Sequence, residues 1–265
     1  ENFIMIISHK HKFIFIHPHR CGGTSVTRAL LPYLGKKDEV YGCEKEYEIL
    51  SEENRVKNMD RYGNEQGKNP WKHSTVKWVK EYTGKKIWDT YFKFVFVRNP
   101  WEINYSFFHW WKKGEGWDPE PRGYKEKKAE IDKLDYADYL LTDLAWEYTL
   151  IDFLKCDFKE DKIKDPFANG ESIMNLEVDV DFIARCERIK IDFAYVCGRL
   201  KLPNIKLDRV NHSRPMKDRK YHLDEIVDNG KARKYLCEKH ARDARYLGYN
   251  ENFKEYDAAW NNYMC

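Results

Sequence analysis

Apolar residues fall in short blocks along the chain, and the blocks switch between strand and helix periods. Residues 12–17, KFIFIH, alternate Phe and Ile with no polar interruption after Lys12, as a strand buried on both faces of a parallel sheet would. The block stops at His17-Pro18. Gly22 and Gly23 then permit close backbone approach, and Thr24 and Ser25 suit a helix N-terminus. Val26, Ala29, Leu30 and Leu34 carry helical spacing on to Gly35. Residues 91–97, YFKFVFV, predict a second buried strand, followed by Arg98-Asn99-Pro100. Asn at the cap and Pro at the first helical position start a helix running to about Lys113.

The remaining blocks fill in an alternating order. Residues 36–72 are polar and charged, with a helix expected over 44–59 and an irregular NEQGKNPW loop. Residues 74–83 place Val76, Val79 and Tyr82 on one helical face, with Gly84 as the expected stop. Residues 114–133 are charged, bear Gly and Pro and lack periodicity; they suit a lid or substrate loop, or a solvated excursion. Helices are expected near 135–142 and 144–155, then a loop over 156–170 and two short strands meeting at Asp179, the second being VDFIAR. Ile189, Phe193, Val196, Cys197 and Leu200 mark an amphipathic helix over 187–200. Helices near 222–228 and 231–246 follow, with Gly248 as a stop. Strands alternating with helices predict an α/β fold: a central, mostly parallel sheet flanked by helices, in a single domain over residues 1–265.

Composition narrows the classes. A chain of 265 residues with 42% hydrophobic and 34% charged residues can bury a substantial core. A net charge of +3 makes no global field for nucleic acid, and no nucleic-acid partner is expected. No stretch approaches the roughly 18 apolar residues that span a bilayer, and the start carries no signal-peptide pattern. Seven scattered Cys without a CxxC pair argue against zinc ribbons and thioredoxin-type chemistry. Reduced thiols and a cytoplasmic location are expected, the alternative being the Golgi-lumen domain of a trimmed, membrane-anchored enzyme.

The chemistry gathers at the two strand ends. Backbone N–H groups of Cys21, Gly22, Gly23, Thr24 and Ser25 would face an anion at the helix start, where the helix dipole favours negative charge. Arg20 adds a permanent positive charge at the entrance. The spacing is not the GxxxxGK[ST] of an ATP- or GTP-binding loop, and alone it also fits a plain strand-to-helix turn. Arg98 closes the second strand, and Ser106 lies two helical turns beyond Asn99 on nearly the same face. Arg98 and Ser106 can therefore flank one anion. If the two strands are neighbours, their C-terminal ends converge where α/β folds bind ligands. One ligand with two separated phosphate-type groups would fit both.

FIFIHPHRCGGTS resembles the 5′-phosphosulfate loop of the PAPS-dependent sulfotransferases, in particular the group of carbohydrate and bacterial family-2 enzymes, usually written around H-x-P-K-x-G-G-T-S. YFKFVFVRNPWEINYSFF resembles their 3′-phosphate motif, in which an Arg and a Ser eight residues later hold that phosphate; these are Arg98 and Ser106. DFIARCERIKIDFAYVCGRL resembles their later F-I-G-R-x-E segment. The resemblance implies a P-loop-like nucleotide-binding fold with PAPS as sulfuryl donor, held by Arg20, Cys21, Gly22, Gly23, Thr24, Ser25, Arg98 and Ser106. It implies no metal, and in-line transfer to a hydroxyl or amine of a small-molecule or carbohydrate acceptor. Arg20 stands where the family usually has Lys, exchanging a point charge for a planar fork. That departure leaves room for a slow enzyme or a non-catalytic nucleotide-binding relative.

A general base must take the acceptor proton. His73, in WKHSTVKWV, resembles the family's K-H-x-T segment and has a suitable imidazole. His17, His19, Glu102 and His212 are weaker candidates. Lys217, Arg219, Lys220 and Tyr221, within residues 209–221, stand where relatives have a loop over the nucleotide; a solvated charge run is the alternative. A cluster of Trp residues between 71 and 117 suits a sugar ring or a cationic acceptor. A nucleotide-dependent kinase is the other enzyme class with such a cradle, but no Walker-type Lys or clear magnesium-binding Asp motif accompanies it.

Overall fold

The computed structural model describes residues 5–41, 75–113, 124–145, 149–154, 179–208, 226 and 228–249. In chain order these form β1 (Met5–Ser8), β2 (Phe13–Ile16), α1 (Gly23–Leu30), a 3-10 turn (Leu31–Tyr33), β3 (Glu39–Tyr41), α2 (Val76–Thr90), β4 (Phe92–Val97) and α3 (Pro100–Lys113). There follow α4 (Tyr124–Ile131), α5 (Tyr136–Leu140), α6 (Leu150–Leu154), β5 (Phe182–Arg185), a 3-10 turn (Cys186–Arg188), α7 (Ile189–Arg199) and α8 (Gly230–Leu247). The described residues fall into two compact units. One lies within Asn2–Arg98 and Asp152–Val210, the other within Asn99–Ile151 and Asn211–Cys265.

The first unit holds the whole sheet, in the order β3-β1-β2-β4-β5. β2, β4 and β5 are parallel, whereas β1 runs antiparallel to both β2 and β3. The sheet is therefore mixed rather than mostly parallel. The turn from β1 to β2 is too short for a crossover, which needs a dozen or more residues, so the pair must be antiparallel. Registered pairs place Val40, Ile6, Phe15 and Phe94 on one face, and Phe96 opposite Ala184 continues it. Phe15 and Phe94 stack with centroids 5.1 Å apart. Val26 and Leu30 of α1, with Phe193, Val196 and Cys197 of α7, cover that face and complete its core.

Polar clamps fix the opposite end of the strands. The buried Asp38 accepts from Ser8 Oγ (2.6 Å), from the N–H groups of His9 (2.8 Å) and Lys10 (3.0 Å), and from Gly35 N–H (2.9 Å). This holds the turn after β1 against the lead into β3. Glu39 accepts from the Tyr41 hydroxyl and from that of Tyr82 (2.8 Å). The buried Lys93 ammonium donates to the carbonyls of Trp88 and Tyr91, both at 2.9 Å, and pairs with Asp181 at 2.8 Å. A cation on the last carbonyls of α2 suits the helix dipole. It also ties the starts of β4 and β5 together.

The second unit is helical. Phe108 of α3 packs against Tyr136 (5.5 Å) and Tyr139 (5.1 Å) of α5. Asn99 caps α3, accepting the Trp101 N–H on Oδ1 at 2.9 Å, as Asn-Pro at that position predicts. α8 ends at Gly248 in the left-handed region (φ 65°), again as read from the sequence.

The helix read over 74–83 does end at Gly84, whose backbone is non-helical (φ 70°, ψ 164°); a second helical stretch, not read from the sequence, continues α2 across that break to Thr90. Two other helical expectations need correction. α4 lies inside the stretch read as aperiodic, with no residue of 125–130 buried to leave an apolar stripe. The helix expected over 144–155 is described as helix only in α6. The expected helices at 44–59 and 222–228, residues 114–123 of the expected loop and the whole of 209–221 lie wholly or largely outside the described residues.

Candidate functional site

The site grows from the C-terminal ends of β2, β4 and β5, three adjacent parallel strands. Leaving β2, His17 is 1% exposed and stacks on Phe15, with centroids 5.8 Å apart and planes 14° apart. The chain then turns through two left-handed residues, Arg20 (φ 58°) and Gly22 (φ 72°). For arginine that conformation costs on the order of 1–2 kcal/mol, so the surroundings must hold it. One restraint is visible: the Arg98 guanidinium, at the end of β4, donates from Nη1 to the Arg20 carbonyl at 3.3 Å.

Both glycines are required by their surroundings. A Cβ on Gly23 would stand 1.9 Å from Cδ2 and 2.0 Å from Nε2 of His17. A Cβ on Gly22 would meet Ile189 Cδ1 at 3.0 Å and Cys186 Sγ at 3.3 Å. The loop is thus wedged between the His17 ring and the turn after β5. Gly22 is also the N-cap of α1. No side chain caps that end, and no acidic residue stands in the first turn. The Ser25 N–H returns to the Gly22 carbonyl at 3.1 Å. An uncapped helix start with glycines at its entrance and no carboxylate is a suitable place for an anion. Thr24 and Ser25 are buried in the first turn.

The end of β5 closes the group. The Arg185 N–H donates to Asp192 Oδ2 at 2.7 Å, and Arg188 pairs with Asp192 Oδ1 at 2.9 Å, which fixes the turn bearing Cys186. Burial pushes the Cys186 thiol well up; the nearby Cys21 and Glu187 add to this, and the Arg98 guanidinium opposes it. Arg98 is therefore the cation common to the three strand ends. Sequence reasoning did not single out Cys186, which follows β5 directly as His17 and Arg98 follow β2 and β4.

The structure brings Arg20, Cys21, Gly22, Gly23, Thr24 and Ser25 together with Arg98. Ser106 is 2% exposed on α3 and belongs to the helical unit. Glu102 is buried in the first turn of the same helix. His73, His212, Lys217, Arg219, Lys220 and Tyr221 lie outside the described residues. Among the described residues, no group of three or more His, Cys, Asp or Glu is placed to hold a metal. Among the same residues no helix is long and apolar enough to cross a membrane.

Comparison with known families bears on this geometry. Residues 4–109 match the model of the sulfotransferase family. The match begins just before β1 and ends within α3, so it contains the Arg20 loop, Arg98 and Ser106. The matched stretch is similar to that family, and it is the part of the chain that bears the strand–loop–helix turn at Arg20. No curated protein and no solved structure matches the chain.

Proposed function

We propose that this chain is a PAPS-dependent sulfotransferase, moving a sulfuryl group from PAPS to a hydroxyl or amine of a small-molecule or carbohydrate acceptor. The observation that carries this is the Arg98 guanidinium bonded to the carbonyl of Arg20, beside an uncapped helix start. Two cationic strand ends meeting at one loop suit a nucleotide with phosphates at two positions. Gly22 and Gly23 let the loop pack close against the His17 ring, Ile189 and Cys186, which supports a fixed shape for the turn that leads into α1.

When bound, PAPS supplies the activated sulfuryl group and a phosphate leaving group. The chain's own residues bind, orient and stabilise charge. N–H groups at the start of α1 hold the 5′ end, with the hydroxyls of Thr24 and Ser25. Arg20 offsets the negative charge that grows on the leaving oxygen. Arg98 and Ser106 hold the 3′-phosphate. His73 takes the proton of the acceptor as its oxygen or nitrogen bonds to sulfur. Lys217, Arg219 and Tyr221, with the 209–221 segment, cover the nucleotide, and the 114–133 segment faces the acceptor. As in phosphoryl transfer, positioning and electrostatics account for most of the rate, and no metal is required.

The test is an acceptor screen with radiolabelled PAPS, covering sugars, phenols, alcohols and amines, run with and without EDTA. Transfer of label that survives EDTA supports the assignment. Tight nucleotide binding with no transfer to any acceptor would instead favour a non-catalytic relative, and label transfer from ATP with magnesium would favour a kinase.

A further inference from the structure

Three side chains in the helical unit form a polar chain with no exposure to solvent. Asn104 on α3, His240 and Asp243 on α8 are each 0% exposed. Asn104 Nδ2 lies 2.6 Å from His240 Nε2, and His240 Nδ1 lies 3.1 Å from Asp243 Oδ2. Asp243 also accepts two backbone N–H groups, from Leu150 at 2.9 Å and Ile151 at 2.8 Å. Trp101 meets the His240 ring edge-on, with centroids 6.2 Å apart.

The donors and acceptors fix the order of the chain. Asp243 accepts only, so His240 donates from Nδ1, and Nε2 is left to accept from the Asn104 amide. In this arrangement Asn104 Oδ1 is buried without a partner. A leucine at 104 would fill the core without burying that carbonyl oxygen. Buried polar groups kept at such a cost serve specificity of arrangement in the best-attested cases.

The arrangement concerns α3. Asn104 and Ser106 are two residues apart, about 200° around a helix of 3.6 residues per turn. A bond at Asn104 therefore grips the helix on the side away from Ser106. It fixes the rotation of α3 about its axis, which is what decides where the Ser106 hydroxyl stands.

We propose that Asp243–His240–Asn104 is a positioning relay: anchored on the Leu150 and Ile151 amides, it sets the rotation of α3 and thereby the placement of Ser106 for a nucleotide 3′-phosphate. The inference rests on the sulfotransferase assignment for its ligand. His240 and Asn104 act through α3 and do not touch the nucleotide.

Two substitutions at one position separate the halves of the relay. The amide of His240→Gln reaches the place of Nε2 and can still accept from Asn104. The amide of His240→Asn reaches the place of Nδ1 and keeps only the bond to Asp243. Asn104→Leu breaks the same contact from the other side with an apolar residue of similar volume. Each full chain is titrated calorimetrically with 3′-phosphoadenosine 5′-phosphate and with AMP, and amide exchange over residues 100–113 is followed by mass spectrometry. His240→Asn and Asn104→Leu should weaken the bisphosphate about tenfold, leave AMP unchanged and speed exchange over 100–113; His240→Gln, which keeps the contact to Asn104 but loses the one to Asp243, should recover part of the loss. Equal losses for both nucleotides, or a His240→Gln variant no better than His240→Asn, would overturn the relay. If the wild-type chain binds neither nucleotide, the sulfotransferase assignment itself fails. The exchange comparison then still decides whether His240 fixes α3.

Discussion

Gly23→Ala is the sharpest perturbation of the loop. The new Cβ would stand 1.9, 2.0 and 2.4 Å from three atoms of the His17 ring. To reach ordinary contact the ring or the loop must retreat by about 1.5 Å or more. The ring has little room to give, since His17 is 1% exposed and lies flat on Phe15. Overpacking of this kind costs roughly 1–3 kcal/mol, and the lack of relief places this case near 2–3. Urea denaturation measures the loss, and calorimetry with 3′-phosphoadenosine 5′-phosphate measures the distortion of the cradle. His17→Ala alone should cost on the order of 1–3 kcal/mol for the packing it removes. In the double variant the clash is gone, so the two costs should fall short of additivity by about 1 kcal/mol or more. A Gly23→Ala chain within about 0.5 kcal/mol of wild type, with unchanged affinity, would refute the packing described here.

Three further outcomes follow from the same geometry. Arg98→Ala removes the guanidinium from the Arg20 carbonyl and from the proposed 3′-phosphate, and should weaken the bisphosphate nucleotide by about 2–3 kcal/mol and AMP by less, through loosening of the Arg20 loop, read by calorimetry. His73→Ala should leave nucleotide affinity intact and lower turnover by about 100-fold or more in a radiolabel transfer assay; parallel loss of both would remove it as the base. The third outcome is alkaline. Burial, with Glu39 nearby, pushes the Tyr41 hydroxyl far above its ordinary range, and burial pushes Tyr82 up to about 12. Folded pKa values above the unfolded value of 10.0 mean full stability below that pH, and loss as pH rises toward 12 and beyond. Denaturant midpoints should therefore fall over that window, and Tyr82→Phe should flatten the fall.

What the sequence revealed, and what it hid, have physical reasons. β2 and β4 are buried parallel strands, and such strands read as largely apolar blocks. The Asn99-Pro100 start and the Gly248 stop were legible because caps use few residue types. β1 and β3 were not read, although MIIS is an apolar run. Each has three or four residues, too few to show a period, and β3 is secured by Asp38 and Glu39 through contacts distant in sequence. Gly84 was legible as a helix stop, whereas the helical stretch that resumes beyond it to Thr90 was not. In the site, the Arg20 loop and Arg98 were legible from strand–loop–helix order. The His17 ring over Gly23, the left-handed Arg20 and the Cys186 turn against Gly22 were not, because they depend on which strand ends become neighbours.

The central claim is that the ends of β2 and β4 form a cradle for a nucleotide phosphorylated at both its 5′ and 3′ positions. Isothermal titration of the full chain with 3′-phosphoadenosine 5′-phosphate, against AMP as the reference, tests this directly. The account predicts binding of the bisphosphate at least about tenfold tighter than AMP, as expected if the added phosphate gains a charge-assisted hydrogen bond from Arg98. No heat from the bisphosphate at millimolar concentration, or equal affinity for the two nucleotides, would contradict it.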